Sequence, residues 1–264
     1  MEGISNLSTS DANTMARTVA DRSPAGTQDR TVLVTGAWLA VLGALLAFVA
    51  NGLHPHPSDF RLESLLQQIA QNGAWSTVHM TLIFGLLLIL GALVAITFTF
   101  EGKPGATAAR FACMASLMGG ALIMVSTAMD GFAMNRLASA WLDAAPGDKA
   151  TALGIASAFE DAQYAVYSLS IVIFLGIGIF LYGLATVQSG TYPKALGWLA
   201  MLSGGGSFVV GVAQSFGGPD LRTTEVFFVL FSMLSTVWVL VMGVLMWRRA
   251  RLTQAHRDLV PMPS

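Results

Sequence analysis

The chain has 264 residues, of which 54% are apolar and only 11% are Asp, Glu, Lys or Arg. A soluble domain carries roughly a quarter charged residues, so a soluble globular fold would lack the charge to cover its surface, and a mean hydropathy of +0.64 excludes a disordered chain. The net charge of −1 gives no basic footprint for nucleic acid, and the single cysteine, Cys113, excludes an internal disulfide framework and a Cys-rich metal site.

Residues 1–30 are rich in Ser, Thr, Asp and Arg with no apolar period, and read as a disordered tail. They are too long and polar for the start of a signal peptide, and the apolar run that follows is too long for its core. Beyond them lie six stretches without Asp, Glu, Lys or Arg: Thr31–Leu53, Ser76–Phe100, Phe111–Met129, Ala162–Pro193, Ala195–Pro219 and Val226–Trp247. Each exceeds the roughly 18 residues that mark a helix crossing a hydrocarbon core. Backbone groups must be paired internally in lipid, so these stretches predict helices. The expected fold is an all-α integral membrane protein: a six-transmembrane-helix bundle with short amphipathic helices in the outer loops. Spans are expected at about 31–53, 76–100, 108–132, 162–187, 194–217 and 225–248, and 249–264 forms a basic tail.

Six spans put both termini on one side. That side collects ten Lys and Arg residues, among them Lys103, Arg110 and Lys194 in the loops, against four (Arg61, Arg136, Lys149 and Arg222) on the other. The positive-inside rule makes both termini cytoplasmic. Trp75, Trp198 and Trp247 stand near predicted helix ends, where interfacial anchors belong.

The first outer loop holds an amphipathic stretch with Phe60, Leu62, Leu65, Leu66 and Ile69 on one face; Ser58 or Asp59 could start it and Asn72-Gly73 end it. In the second, Ala145-Pro-Gly-Asp148 is a turn signal. A helix from about Asp148 to Val187 would be about 60 Å long, so it either projects outward or bends near Glu160. These segments form a cap over the bundle or simply connect its helices.

Two hairpins, Thr81 to Met129 and Ser170 to Phe216, place the glycine patches Gly119-Gly120 and Gly204-Gly205 at an offset of about 85 residues, the pattern a duplication would leave. Ser203, Ser207 and Gly211 share one helix face, a seam for close helix packing within the chain or against a second copy.

Polar groups gather at one depth. Counted from the inner charges at 1.5 Å per residue, His54, His79, Asp130, Gln214 and Glu225 all lie about 30–36 Å away, with Glu160, Asp161 and Tyr164 somewhat farther out. An outer water interface explains such a layer, and so does a polar pocket. Asp130 follows an apolar run without a helix breaker, and an acid within a membrane helix needs a partner or a cavity. His54-Pro-His56-Pro holds two imidazoles just past a helix end. Imidazoles with a carboxylate suit a divalent transition metal, which makes His54, His56 and His79 the metal candidates, with Asp130 and Glu160 beside them. The ligand-binding candidates are His79, Asp130, Glu160, Asp161, Tyr164 and Gln214; an acid–base role would fall to Asp130 or Glu160. A bis-imidazole haem would need His54 and His79 to face each other across it. No nucleophile elbow or Walker sequence is present.

Tyr192-Pro-Lys-Ala-Leu-Gly-Trp-Leu199 with the small-residue runs after it, and the His-Pro loop followed by Val78-His79, resemble uncharacterised multi-helix bacterial inner-membrane proteins over about residues 31–245. The resemblance implies a six-helix protein of the bacterial inner membrane and no activity. The sequence therefore points to a multi-pass membrane protein holding a small ligand or metal ion at the outer end of its bundle. Its partner is the lipid bilayer, not nucleic acid. A small-solute transporter, or a homo-oligomer or accessory subunit of a larger membrane complex, is the alternative.

Overall fold

The structure is a computed structural model that describes residues 25–54, 61–217 and 222–259. Among the described residues every regular element is helical: α1 (Ala25–Leu53), α2 (Leu62–Gln71), α3 (Trp75–Phe98), α4 (Ala106–Asp143), α5 (Lys149–Ser189), α6 (Lys194–Gly217) and α7 (Arg222–Leu259). All except α2 contain a stretch long and apolar enough to cross a membrane. Large apolar side chains on their outer faces, such as Phe84, Leu87, Met118 and Val209, are exposed as lipid contact requires. The chain is an all-helical membrane protein.

Packing contacts order the six long helices as a closed ring: α1, α3, α4, α5, α6, α7 and back to α1. Small residues set the spacing. A Cβ on Gly43 of α1 would lie 2.9 Å from the Ile89 backbone nitrogen, and one on Gly85 of α3 would lie 3.2 Å from that of Ala47, so each backbone occupies the other's side-chain space. The serine seam on α6 points into the molecule: Ser203 donates to the Phe231 carbonyl at 2.7 Å and lies 2.6 Å from the Ser235 hydroxyl. Of the two glycine patches, Gly119 meets Phe174 on α5 and Gly120 meets Leu90 on its hairpin partner α3, while Gly204 meets Phe180 on its hairpin partner α5.

We call the end of the bundle where α1 finishes and α3 begins the distal end. There α4 and α5 run on beyond the ring and pack with α2. Leu66 and Ile69 of α2, Met134 and Ala138 of α4, Ala156 of α5 and Trp75 form a second apolar core, separate from that of the ring. The outer segments are thus a cap and not bare connections. Lys149 secures it by donating to the Leu142 carbonyl at 2.7 Å. Helix α2 ends as expected, with the Asn72 side chain accepting from the Ala74 N–H at 2.9 Å. Its start differs: extended Arg61 stands at the N-cap with no side-chain cap bond, and Ser58 and Asp59 lie outside the described residues.

Two long helices change register without breaking. A π-helical turn occupies Met129–Met134 in α4 and another Ile171–Gly178 in α5. The second lies in α5, where the α-helix runs unbroken through Glu160 before it.

Candidate functional site at the distal end

Three helices converge beneath the cap. His54 follows the last turn of α1, His79 is on the second turn of α3, and Asp130 sits in the π turn of α4. One ligating atom from each lies within 4.8 Å of the others. His79 is buried at 2% exposure, while Asp130 keeps 28% of its side chain accessible. The group therefore has one closed flank and one open one.

The hydrogen bonds fix the chemistry of His79. Its Nδ1 lies 2.8 Å from the Trp75 carbonyl oxygen. A carbonyl only accepts, so Nδ1 carries the hydrogen and donates it. In the neutral ring Nε2 then holds a lone pair, and it lies 3.0 Å from Asp130 Oδ2. Lone pairs of imidazole and carboxylate cannot share that distance unaided. A proton, on the ring or on the acid, or a bound cation must stand between them.

The π turn exposes carbonyls that α3 then satisfies. Trp75 Nε1 donates to the Asp130 carbonyl at 3.0 Å. Ser76 Oγ donates to the Gly131 carbonyl at 2.8 Å and accepts from Asn135 Nδ2 at 2.9 Å. Buried carbonyls left without donors would be costly, so these three side chains hold the irregular turn in place. Gly131 is the point of closest approach: a Cβ there would lie 2.3 Å from His79 Cβ. The imidazoles of His54 and His79 pack with centroids 5.0 Å apart, and Trp75 lies 5.0 Å from the first and 4.8 Å from the second. This three-ring stack leaves no room for a macrocycle between the imidazoles.

Glu160 and Tyr164 are half-buried on α5, and Asp161 is exposed; neither acid belongs to the close set of ligating atoms. Gln214 is buried on α6, a helix that packs against α5 and α7 rather than against the three helices carrying the cluster. An interface layer is a matter of depth alone, and equal depth does not place residues on the same side of a ring. His56 and the side chain of Glu225 lie outside the described residues. Trp75 corrects the anchor reading: it is buried at 2% in the distal core, whereas Trp198 is exposed as an anchor should be. Ser76 and Asn135 were not foreseen. The only trace of Trp75's role in the sequence is its spacing of four from His79, which stacks the two on one helix face.

The sequence profile of the family described as Domain of unknown function (DUF4386) matches residues 34–248. The chain belongs to this family. The DUF4386 match begins inside α1 and ends inside α7, so it spans the whole ring together with the cluster and its cap. No curated protein and no solved structure matches the chain.

Proposed function

We propose that His54, His79 and Asp130 bind a divalent transition metal ion at the distal end of the bundle. The observation that carries this reading is the Trp75 carbonyl 2.8 Å from His79 Nδ1. Ligating histidines typically donate their second ring N–H to a carbonyl or carboxylate, which fixes the tautomer and aims the other nitrogen at the metal. Here that nitrogen faces a carboxylate and a second imidazole. Ligand atoms around a tetrahedral ion stand about 3.4 Å apart for bond lengths of about 2.0–2.2 Å, and a set already within 4.8 Å needs only small side-chain rotations to reach this. Among the described residues three protein ligands leave a coordination position for water or a ligand, the pattern of reactive rather than structural zinc sites.

The test is metal analysis of the full-length protein purified in nanodiscs, followed by zinc titration of the metal-stripped form. One equivalent should bind. His79→Ala and Asp130→Asn should each weaken binding at least as much as the roughly 10–100-fold expected from losing a supporting residue. Protonation competes with the metal for imidazole, so affinity should also fall as pH is lowered. Failure to bind zinc, with stability unchanged in both variants, would sink the proposal.

A second reading rests on the 3.0 Å His79–Asp130 contact itself, which holds a shared proton as readily as it flanks a cation. Such a pair suits a small-solute transporter coupled to protons, and proton-driven flux in proteoliposomes would favour it. We also place both termini in the cytoplasm of a bacterial inner membrane, on the ten-to-four division of Lys and Arg. Accessibility of single cysteines introduced in α2 and after α7 to an impermeant thiol reagent, in a Cys113→Ala background, tests this orientation.

A further inference from the structure

A partly open cavity of about 150 Å³ lies between α1, α3, α4, α5 and α7. Its upper wall is one helical turn below the metal cluster on all three ligand helices. Asn51 precedes His54 by three residues, Leu82 follows His79 by three, and Thr127 precedes Asp130 by three; all three line the cavity. Because α3 runs in the opposite sense to α1 and α4, each offset leads the same way, about 4.5 Å deeper into the membrane. Leu82, Leu86 and Ile89 then carry one wall down a single face of α3 for about 10 Å.

The lining has no charged side chain; eleven of its seventeen residues are apolar, and the polar ones are Asn51, Thr127, Tyr167, Ser232, Ser235 and Thr236. Its threonines turn their hydrogens back to their own helices: Thr127 Oγ1 donates to the Ile123 carbonyl at 2.7 Å and Thr236 Oγ1 to the Ser232 carbonyl at 2.9 Å. Their oxygens have only lone pairs left for the cavity. No side chain there neutralises an ion, so a charged group would give up hydration at a cost, whereas a hydrocarbon chain against the apolar walls loses nothing. A dry apolar cavity of about this volume takes up a ring of benzene size. The π turn of α5 supplies Phe174 and Leu175 to the same wall.

We infer that the site takes a single-chain amphiphile, its anionic oxygen head group at the His54–His79–Asp130 cluster and the adjoining part of its hydrocarbon chain in the cavity. The inference rests on the metal reading for its head group: a divalent ion ligated by one carboxylate and two neutral imidazoles keeps a net positive charge and an open position, which an anionic oxygen satisfies. The cavity supports the tail independently.

The experiment uses full-length protein in nanodiscs, with and without one equivalent of zinc. It is photolysed with octanoate bearing a diazirine near its tail end, and the labelled residues are mapped by mass spectrometry. Label is expected on Leu86, Ile89 or Val239, saturably, and competed by octanoate or octyl phosphate but not by acetate. Whichever competitor is stronger tells a carboxylate head from a phosphate one. The cavity-filling variants Ser232→Leu and Leu82→Trp should each reduce labelling about tenfold while keeping zinc binding, which shows that they are folded. Label confined to lipid-facing residues such as Phe84 and Leu87, or undiminished in a filling variant that still binds zinc, overturns the inference and leaves the metal reading intact. If zinc does not bind at all, the metal reading fails. Saturable labelling lost in the filling variants then still supports the cavity as a chain site, and its absence overturns both.

Discussion

The site depends on a few residues whose contribution is to hold others. Trp75 is the plainest case. Its ring packs on both imidazoles, its carbonyl takes the His79 hydrogen, and its indole N–H answers a carbonyl that the π turn turns toward it. Trp75→Phe keeps the first two and removes only the third. The stranded carbonyl should cost about 1–3 kcal/mol, seen as a lower unfolding midpoint, and zinc affinity should drop about tenfold as a supporting contact is lost. Gly131→Ala acts by volume. Its Cβ would sit 2.3 Å from His79 Cβ, so α3 and α4 must part. A destabilisation of about 1–3 kcal/mol is expected, with zinc binding lost because the His79–Asp130 distance opens.

At the scale of the helix, lengths and positions followed from the charge-free stretches, because a bilayer imposes one minimum length on every span. Asp130 was legible as a helical acid, since it follows a long apolar run and no proline stands near it. The convergence of His54, His79 and Asp130 was not. It depends on which helices are neighbours in the ring, and that order is set by packing of small residues such as Gly43 against Gly85, which any apolar helix can offer. The π turns were invisible for a different reason: they shift a hydrogen-bond register without demanding a Pro or Gly. A turn far from the site offers a control. Gly105, between α3 and α4, has φ of +89° and leaves only 2.7 Å between a would-be Cβ and the Ala185 carbonyl oxygen. Gly105→Ala should destabilise the protein by at least about 1–2 kcal/mol in denaturant titration, yet leave zinc affinity unchanged in the folded fraction.

For the whole molecule, a metal at this cluster would join elements distant in the chain. It would tie the end of α1 to α3 and α4 at the place where the ring meets its cap. A ligand that binds only the folded state stabilises it by about 2.7 kcal/mol when present at about 100 times its dissociation constant. Chelation should therefore lower the thermal midpoint of the native protein and not that of Asp130→Asn. The cap was foreseen only as one of two arrangements, because Leu66, Ile69 and Ala138 show an apolar face but not what covers it.

The π turn in α4 also acts as a phase setting. A helix turns about 100° per residue, so one residue more or fewer between the ring and the cap rotates everything beyond it by that angle. Ala138 is fully buried against α2, and Leu137 and Trp141 flank it. Inserting one alanine after Asn135, in the regular helix beyond the π turn, should swing this face off its partner by about 100°, leaving the six spans inserted and the cap undocked. In this protein a single-codon insertion, harmless to membrane insertion, would therefore separate the stem from its lid, and limited proteolysis within Leu62–Gln71 would reveal it.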